Sequence, residues 1–291
     1  MKVSGFTFIR NAIKYDYPIV EAIQSILPLC DEVVVAVGNS EDDTLSLIQN
    51  INPQKIRIIQ TQWDDTLREG GKVLAVETDK ALRAVDSKSD WCIYIQGDEV
   101  LHEYGHEEIN KAMGEYKDDA RVDGLLLQYR HFYGSYDYVG ASANWYRNEI
   151  RIIKNNPAIF SFRDAQGFRK QPNEKLNVIA LKAFMHHYGW VKDPRAMQKK
   201  QENFHKLWHD DEWVKKHVRS ANEFDYGHGV RELQLFKGRH PAVMQERIQK
   251  TNWTFETDIS ISRLTLKDKI KNFMYHRFNI ELGYKNYRKL N

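Results

Sequence analysis

Cysteine is scarce in this chain of 291 residues. The two present, Cys30 and Cys92, stand in apolar surroundings. They read as small core residues of a reducing compartment, which excludes a disulfide scaffold. Charge of one sign is also lacking: 43 basic residues face 40 acidic ones, a net charge of +3. That balance excludes nucleic acid as the expected partner, although local basic patches can still meet phosphates. No apolar run approaches the length of a membrane span, and Met1-Lys2-Val3-Ser4-Gly5-Phe6 enters a strand pattern without a secretory leader. A cytoplasmic protein is expected. Internal repeats, low-complexity tracts and Gly/Ser linkers are absent. Apolar residues, by contrast, make up 42% of the chain and aromatics 12%, which excludes disorder over most of it.

The first hundred residues alternate between two periods. Val3 to Ile9, Val33 to Val37, Ile56 to Ile59 and Trp91 to Ile95 are apolar runs of strand length. Between them lie helical patterns: Pro18 to Leu27, Asp42 to Gln49, and a helix with Leu74, Thr78, Ala81, Leu82 and Val85 on one face. This βαβαβαβ order predicts a mostly parallel sheet with right-handed crossovers. After Leu101 the pattern becomes α+β. A helix is expected over Glu107 to Tyr116, then strands near Val122 to Arg130, Glu149 to Lys154, Ile159 to Phe162 and Leu176 to His187. From Asp193-Pro194 onward the chain reads as helical, including Met197 to Trp208 and Pro241 to Lys250.

Chemistry gathers where the early strands end. Ligands of open α/β sheets bind beyond the carboxyl ends of their strands. Strand one runs into Arg10-Asn11, and strand two into Gly38-Asn39-Ser40-Glu41-Asp42. Asn39, Ser40 and Asp42 can hydrogen-bond a base or ribose, and each is equally a turn or cap residue. Arg68-Glu69-Gly70-Gly71-Lys72 opens a helix, a plausible phosphate site with Lys72. The fourth strand stops on Gln96-Gly97-Asp98-Glu99. Carboxylates there can hold Mg²⁺ or Mn²⁺ against a diphosphate, or simply cap the next helix.

Three of these features together resemble the family-2 glycosyltransferases of GT-A fold: the strand Phe6-Thr7-Phe8-Ile9-Arg10-Asn11, the loop Val37 to Thr44, and the Asp-x-Asp-like Gln96-Gly97-Asp98-Glu99. The resemblance implies a nucleotide-binding sandwich over 1–190, with a nucleotide-sugar half at 1–101 and an acceptor half at 102–190. A helical extension over 191–291 would pack on it. It also implies donor-binding roles for Arg10, Asn11, Asn39, Ser40, Asp42, Lys72, Gln96, Gly97 and Asp98, with Asp98 a ligand of Mn²⁺ or Mg²⁺. The chain departs from the pattern at Gln96, where the family has an acid; Gln supplies no negative charge. Glu99 is the acid that could compensate.

In the second half the resemblance implies a carboxylate base, for which Asp164 is the first candidate and Glu149 the alternative, and a histidine completing the metal site. His187 suits that role better than His186, because strand alternation sends the two to opposite faces. His205 and His209, four apart on a helix, form at most half a zinc site. The aromatic stretch from Tyr129 to Tyr146 offers an acceptor wall or core packing.

The expected activity is inverting transfer of a sugar from a nucleotide-sugar donor to a hydroxyl of a glycan or lipid-linked acceptor. A non-catalytic nucleotide-sugar binder is the alternative that Gln96 keeps open. A nucleotidyltransferase is disfavoured by the lack of glycine in Arg10-Asn11-Ala12-Ile13-Lys14. The tail combines Lys267, Lys269, Lys271 and Arg277 with Leu266, Ile270, Phe273, Met274 and Phe278. It could lie on the inner face of a membrane, but we expect its apolar face to pack on the domain, since Asp268 and Glu281 dilute its charge.

Overall fold

The computed structural model describes every residue except 218–220, 228–231, 261, 279–280 and 291. The chain runs β1 (Val3–Ile9), α1 (Ile19–Ile26), β2 (Glu32–Gly38), α2 (Thr44–Gln49), β3 (Ile56–Thr61), α3 (Lys72–Arg83) and β4 (Trp91–Tyr94). These four strands pair in parallel in the order β3-β2-β1-β4. The uninterrupted valines of β2 are explained by its position, since both faces are covered. Val33 and Val35 join Ile19, Ile23 and Ile26 of α1 in one cluster. Val34 and Ala36 join Ala81 and Leu82 of α3, with Phe6 and Tyr94, in another.

The second half continues with β5 (Glu99–Leu101), α4 (His106–Tyr116), β6 (Gly124–Tyr133), β7 (Ser135–Gly140), β8 (Asn148–Lys154), β9 (Ile159–Phe162), β10 (Gly167–Lys170) and the long β11 (Glu174–Trp190). Beyond β4 the sheet runs β8-β6-β11-β10-β9. It is parallel over its first four strands and mixed beyond them: β4 meets β8 antiparallel, while β6 and β11 are parallel. The α/β architecture expected from the sequence is the one observed. Short strands were its blind spot. Glu99 to Leu101, read as loop or cap, is a strand whose register sets His187 opposite Glu99.

The remaining elements are α5 (Pro194–Lys206), α6 (Asp211–His217), β12 (Leu233–Leu235), α7 (Gln245–Gln249), α8 (Leu266–Phe278) and β13 (Tyr287–Lys289). This region is helical as expected, but it also returns strands to the sheet, β12 to β7 and β13 to β11. The expectation for the tail is reversed: Leu266, Ile270, Phe273 and Phe278 point outward, and Met274 is only half-buried.

The two halves are joined through a buried ion pair. Glu99 and Arg151 are both wholly buried. The guanidinium donates from Nε to Glu99 Oε2 at 2.8 Å and from Nη2 to Oε1 at 2.7 Å. Tyr129 donates its hydroxyl to the same carboxylate at 2.7 Å, and the Gln96 amide N–H donates at 3.1 Å. Arg151 also donates to the carbonyl of Gln166 at 2.8 Å. Glu99 is therefore consumed inside the protein and cannot compensate for Gln96 at a metal. Breaking such a pair strands a charge in the core. Arg151→Met is expected to lower stability by about 3–5 kcal/mol. Adding Glu99→Gln should recover part of that loss, as read from urea unfolding of the single and double variants.

Candidate active site

The loops after β1, β2 and β4, the end of β11 and one face of α5 enclose a cleft of about 630 Å³. Arg10, Asn11, Gln96, Gly97, Asp98, Asp164 and His187 all line it. These seven residues were predicted from four distant stretches of sequence. The fold brings them together because strands 1, 4 and 11 end on the same rim.

Asp98 is the centre of the site. Its carbonyl accepts from the Tyr188 N–H at 2.8 Å, which fixes the turn against β11. Its Oδ2 accepts from Lys200 Nζ at 3.1 Å, and Lys200 also donates to the Gly189 carbonyl at 2.9 Å. Its Oδ1 faces His187 Nε2 at 3.8 Å. Burial works against the charge of Asp98, but Lys200, His187 and Lys192 outweigh it and hold the carboxyl below the usual carboxylate range. Glycine is required at 189, where a Cβ would stand 2.7 Å from the His187 ring and 2.8 Å from Asp98 Oδ2.

The hydrogen bonds behind His187 determine which of its nitrogens is bare. His131 Nε2 lies 2.7 Å from the Tyr146 carbonyl, which can only accept, so this nitrogen carries a proton. Burial, aided by His187, holds the His131 pKa well below its ordinary value, so the ring is neutral and its Nδ1 is an acceptor. His187 Nδ1, 3.2 Å away, must then be the donor. Burial lowers the His187 pKa as well. With its Nδ1 donating to His131, Nε2 is the nitrogen turned toward Asp98 Oδ1, 3.8 Å away. Asp98 Oδ1 and His187 Nε2, the latter's ring anchored from behind through Nδ1, are the two groups here that would hold a divalent cation. No cluster of three or more metal-binding side chains occurs among the described residues. The pair His205 and His209 accordingly finds no third ligand; the His209 ring stacks on Trp213, their centroids 3.5 Å apart.

The other predicted residues do different work. Asn39 Oδ1 accepts from the Trp63 N–H, and Ser40 Oγ accepts from the Asn11 N–H at 3.0 Å. Asp42 accepts from the Lys14 N–H at 2.7 Å and from Thr44. Asn39, Ser40 and Asp42 thus tie the rim loops together and do not line the cleft. Lys72 lines a second groove of about 700 Å³, which shares Asp164 with the first. Glu149 is buried beneath the site, bonded to Gln166 at 2.9 Å, and burial pushes its pKa up to about 8. It lines neither groove, whereas Asp164 lines both. His186 is wholly buried on the far face of β11, as alternation requires. Most of the aromatic stretch is core: Phe132, Tyr133 and Tyr136 are buried in two aromatic clusters, and only Tyr146 reaches the cleft.

Gln96 has a role that an acid could not fill. Its Nε2 donates to the carbonyl of buried Ala165 at 3.1 Å. Arg163 and Ala165 both hold left-handed backbone, φ 58° and 64°, a conformation that costs a non-glycine residue about 1–3 kcal/mol. The glutamine clamps this loop so that Asp164, between them, stays at the cleft. Burial raises the pKa of Asp164.

Sequence reasoning missed Lys200, Lys192 and Trp63. Lys192 is fully buried, donates to the Asp16 carbonyl, and lies 4.5 Å from the centre of the Tyr17 ring. Burial, with the charge of Lys200, lowers its pKa to about 7. Trp63 packs over Gly38 and under the Arg10 guanidinium. Nothing in a lysine-rich helix marks one lysine as buried, and Trp63 carries no motif.

No protein-family model matches the chain, and no curated protein matches it. Solved structures that resemble it include TarS of S. aureus, 15% identical with a TM-score of 0.41 over 70% of this chain. The chain spans 39% of that structure's length. A shorter TarS in complex with UDP is 15% identical, TM-score 0.40, with 76% of this chain and 68% of that one covered. Glucosyl-3-phosphoglycerate synthase of Mycobacterium tuberculosis, in complex with Mn²⁺, UDP and phosphoglyceric acid, is 19% identical, TM-score 0.30, covering 45% of this chain and 43% of that one. These likenesses are too distant to carry an argument, and the functional reading rests on the cleft itself.

Gln96→Asp removes the donor to Ala165 without changing the backbone. A buried carbonyl left unpaired is expected to cost about 1–3 kcal/mol. Urea unfolding checks this, and a variant as stable as the parent would show that the clamp is not made.

Proposed function

We propose that this chain is an inverting glycosyltransferase that moves a sugar from a nucleoside-diphosphate donor to a hydroxyl of a glycan or lipid-linked acceptor. The observation that carries the proposal is the facing pair of Asp98 Oδ1 and His187 Nε2, with Lys200 on the other carboxylate oxygen. One side of this arrangement suits a cation and the other supplies one, as a diphosphate requires.

Asp98 and His187 are the residues that would hold Mn²⁺ or Mg²⁺. Bound there, the metal would supply positive charge to the departing diphosphate. Lys200 adds protein-borne positive charge at the same end of the cleft, and Lys192 stands buried behind Tyr17 of the cleft wall. Arg10 and Asn11, held by the loop after β2, receive the nucleoside, with Trp63 beside them. Asp164 takes the proton of the acceptor hydroxyl as that oxygen attacks the anomeric carbon and the sugar–phosphate bond breaks. Burial raises its pKa, the direction that makes a carboxylate a stronger base. The acceptor comes from the second groove, which Asp164 also lines, beside Phe160, Phe162 and Trp208. Aromatic faces of this kind pack against sugar C–H groups.

Thermal-shift screening of nucleoside diphosphates with and without Mn²⁺ identifies the donor nucleotide, since a true ligand stabilises the folded state. With that nucleotide, Asp98→Asn is expected to abolish the Mn²⁺-dependent part of the affinity measured by calorimetry while the fold is retained. Unchanged affinity would remove Asp98 from the site. Asp164→Asn should leave donor affinity intact and lower transfer by about a hundredfold or more. Equal turnover in variant and parent would assign the base elsewhere. A chain that binds the nucleotide sugar yet never releases nucleoside diphosphate would be a binding protein and not an enzyme.

A further inference from the structure

Helix α8 is docked the wrong way round for water. Asp268, Asn272 and Tyr275, spaced by four and three residues, form the stripe that meets the protein. Asp268 is buried; Asn272 accepts from Arg147 at 3.1 Å and donates to the Ala141 carbonyl at 3.2 Å; Arg147 stacks on the Tyr275 ring at 3.7 Å. Leu266, Ile270 and Phe273 share the same spacing and lie on the opposite face. They are 75%, 51% and 61% exposed. Phe278, its ring centre 6.0 Å from that of Phe273, extends the exposed apolar surface.

Charge separates in the same way. Residues 262–290 contain two acids, Asp268 and Glu281. Asp268 is buried and accepts from Thr265; Glu281 is half-buried and accepts from Asn148 and Tyr287. Arg263, Lys267, Lys269, Arg277, Arg288 and Lys289 are all exposed. The acids that dilute the tail's charge on paper turn inward, and the outer surface is apolar with a basic surround.

We propose that α8 and the segment after it form a docking surface for an anionic lipid bilayer, with Leu266, Ile270 and Phe273 entering the headgroup region and the lysines and arginines meeting lipid phosphates. Apolar burial and electrostatic attraction then act together, as in interfacial helices. The proposal stands independently of the chemistry assigned to the cleft.

The test is co-sedimentation of the full chain with vesicles of phosphatidylcholine alone and of phosphatidylcholine with phosphatidylglycerol. The parent is expected to bind the anionic vesicles, and less so as salt is raised. The variant Leu266→Ser/Ile270→Ser/Phe273→Ser alters only exposed side chains, so its circular dichroism and melting should match the parent while vesicle binding falls about tenfold or more. Lys267→Glu/Lys269→Glu/Arg277→Glu should abolish the preference for anionic lipid. A parent that ignores both vesicles, or a serine variant that binds as well as the parent, overturns the proposal. So does a parent that forms dimers by light scattering, becomes monomeric on the serine substitutions and never sediments with vesicles: a second copy would then be the occupant.

Discussion

The arrangement of the cleft depends on the buried pair of Glu99 and Arg151. It joins the turn after β4 to β8, and through Tyr129 to β6, in a place closed to solvent. Every oxygen of the carboxylate is used, which is the condition under which a buried pair is tolerated. Asp98 is the neighbour of Glu99, so two adjacent carboxylates meet opposite fates. One faces inward and fixes the turn; the other lines the cleft. The position of Asp98 is set by an ion pair that does not itself line the cleft.

The parts of this molecule legible in its sequence were those with a repeating physical signature. Strands β1, β2 and β4 were visible as buried apolar runs and β3 by its isoleucines at 56, 58 and 59, and α1 and α3 because their buried residues recur at helical spacing. Seven predicted residues meet at one cleft because strand ends in an open α/β sheet share a rim. The three-residue strands β5, β12 and β13 escaped because they are too short to show a period. The tail was misread for a physical reason: spacing reveals that a helix has two faces, but not which of them the protein covers.

Gln96, at a position where the family that the sequence resembles carries an acid, illustrates a different limit. In sequence it reads as a lost metal ligand. In the structure it is a gained donor, because the partner is the Ala165 carbonyl and a carboxylate has no hydrogen to offer it. Lys200 shows the complementary case, a residue type common on surfaces whose position beside Asp98 only the fold discloses. His131 goes further still: its bond to the Tyr146 carbonyl decides which nitrogen of His187 bears a proton, two rings away from that carbonyl.

The outward stripe of α8 also bears on how the protein behaves as a colloid. Solubility in water is governed by the size of contiguous apolar surface more than by its total. Here much of that surface lies on one short helix whose anchoring contacts are polar and sit on its other side. Handling properties such as adhesion to surfaces, the need for detergent and self-association at high concentration can therefore be altered at Leu266, Ile270 and Phe273 without disturbing the two sandwich cores or the cleft.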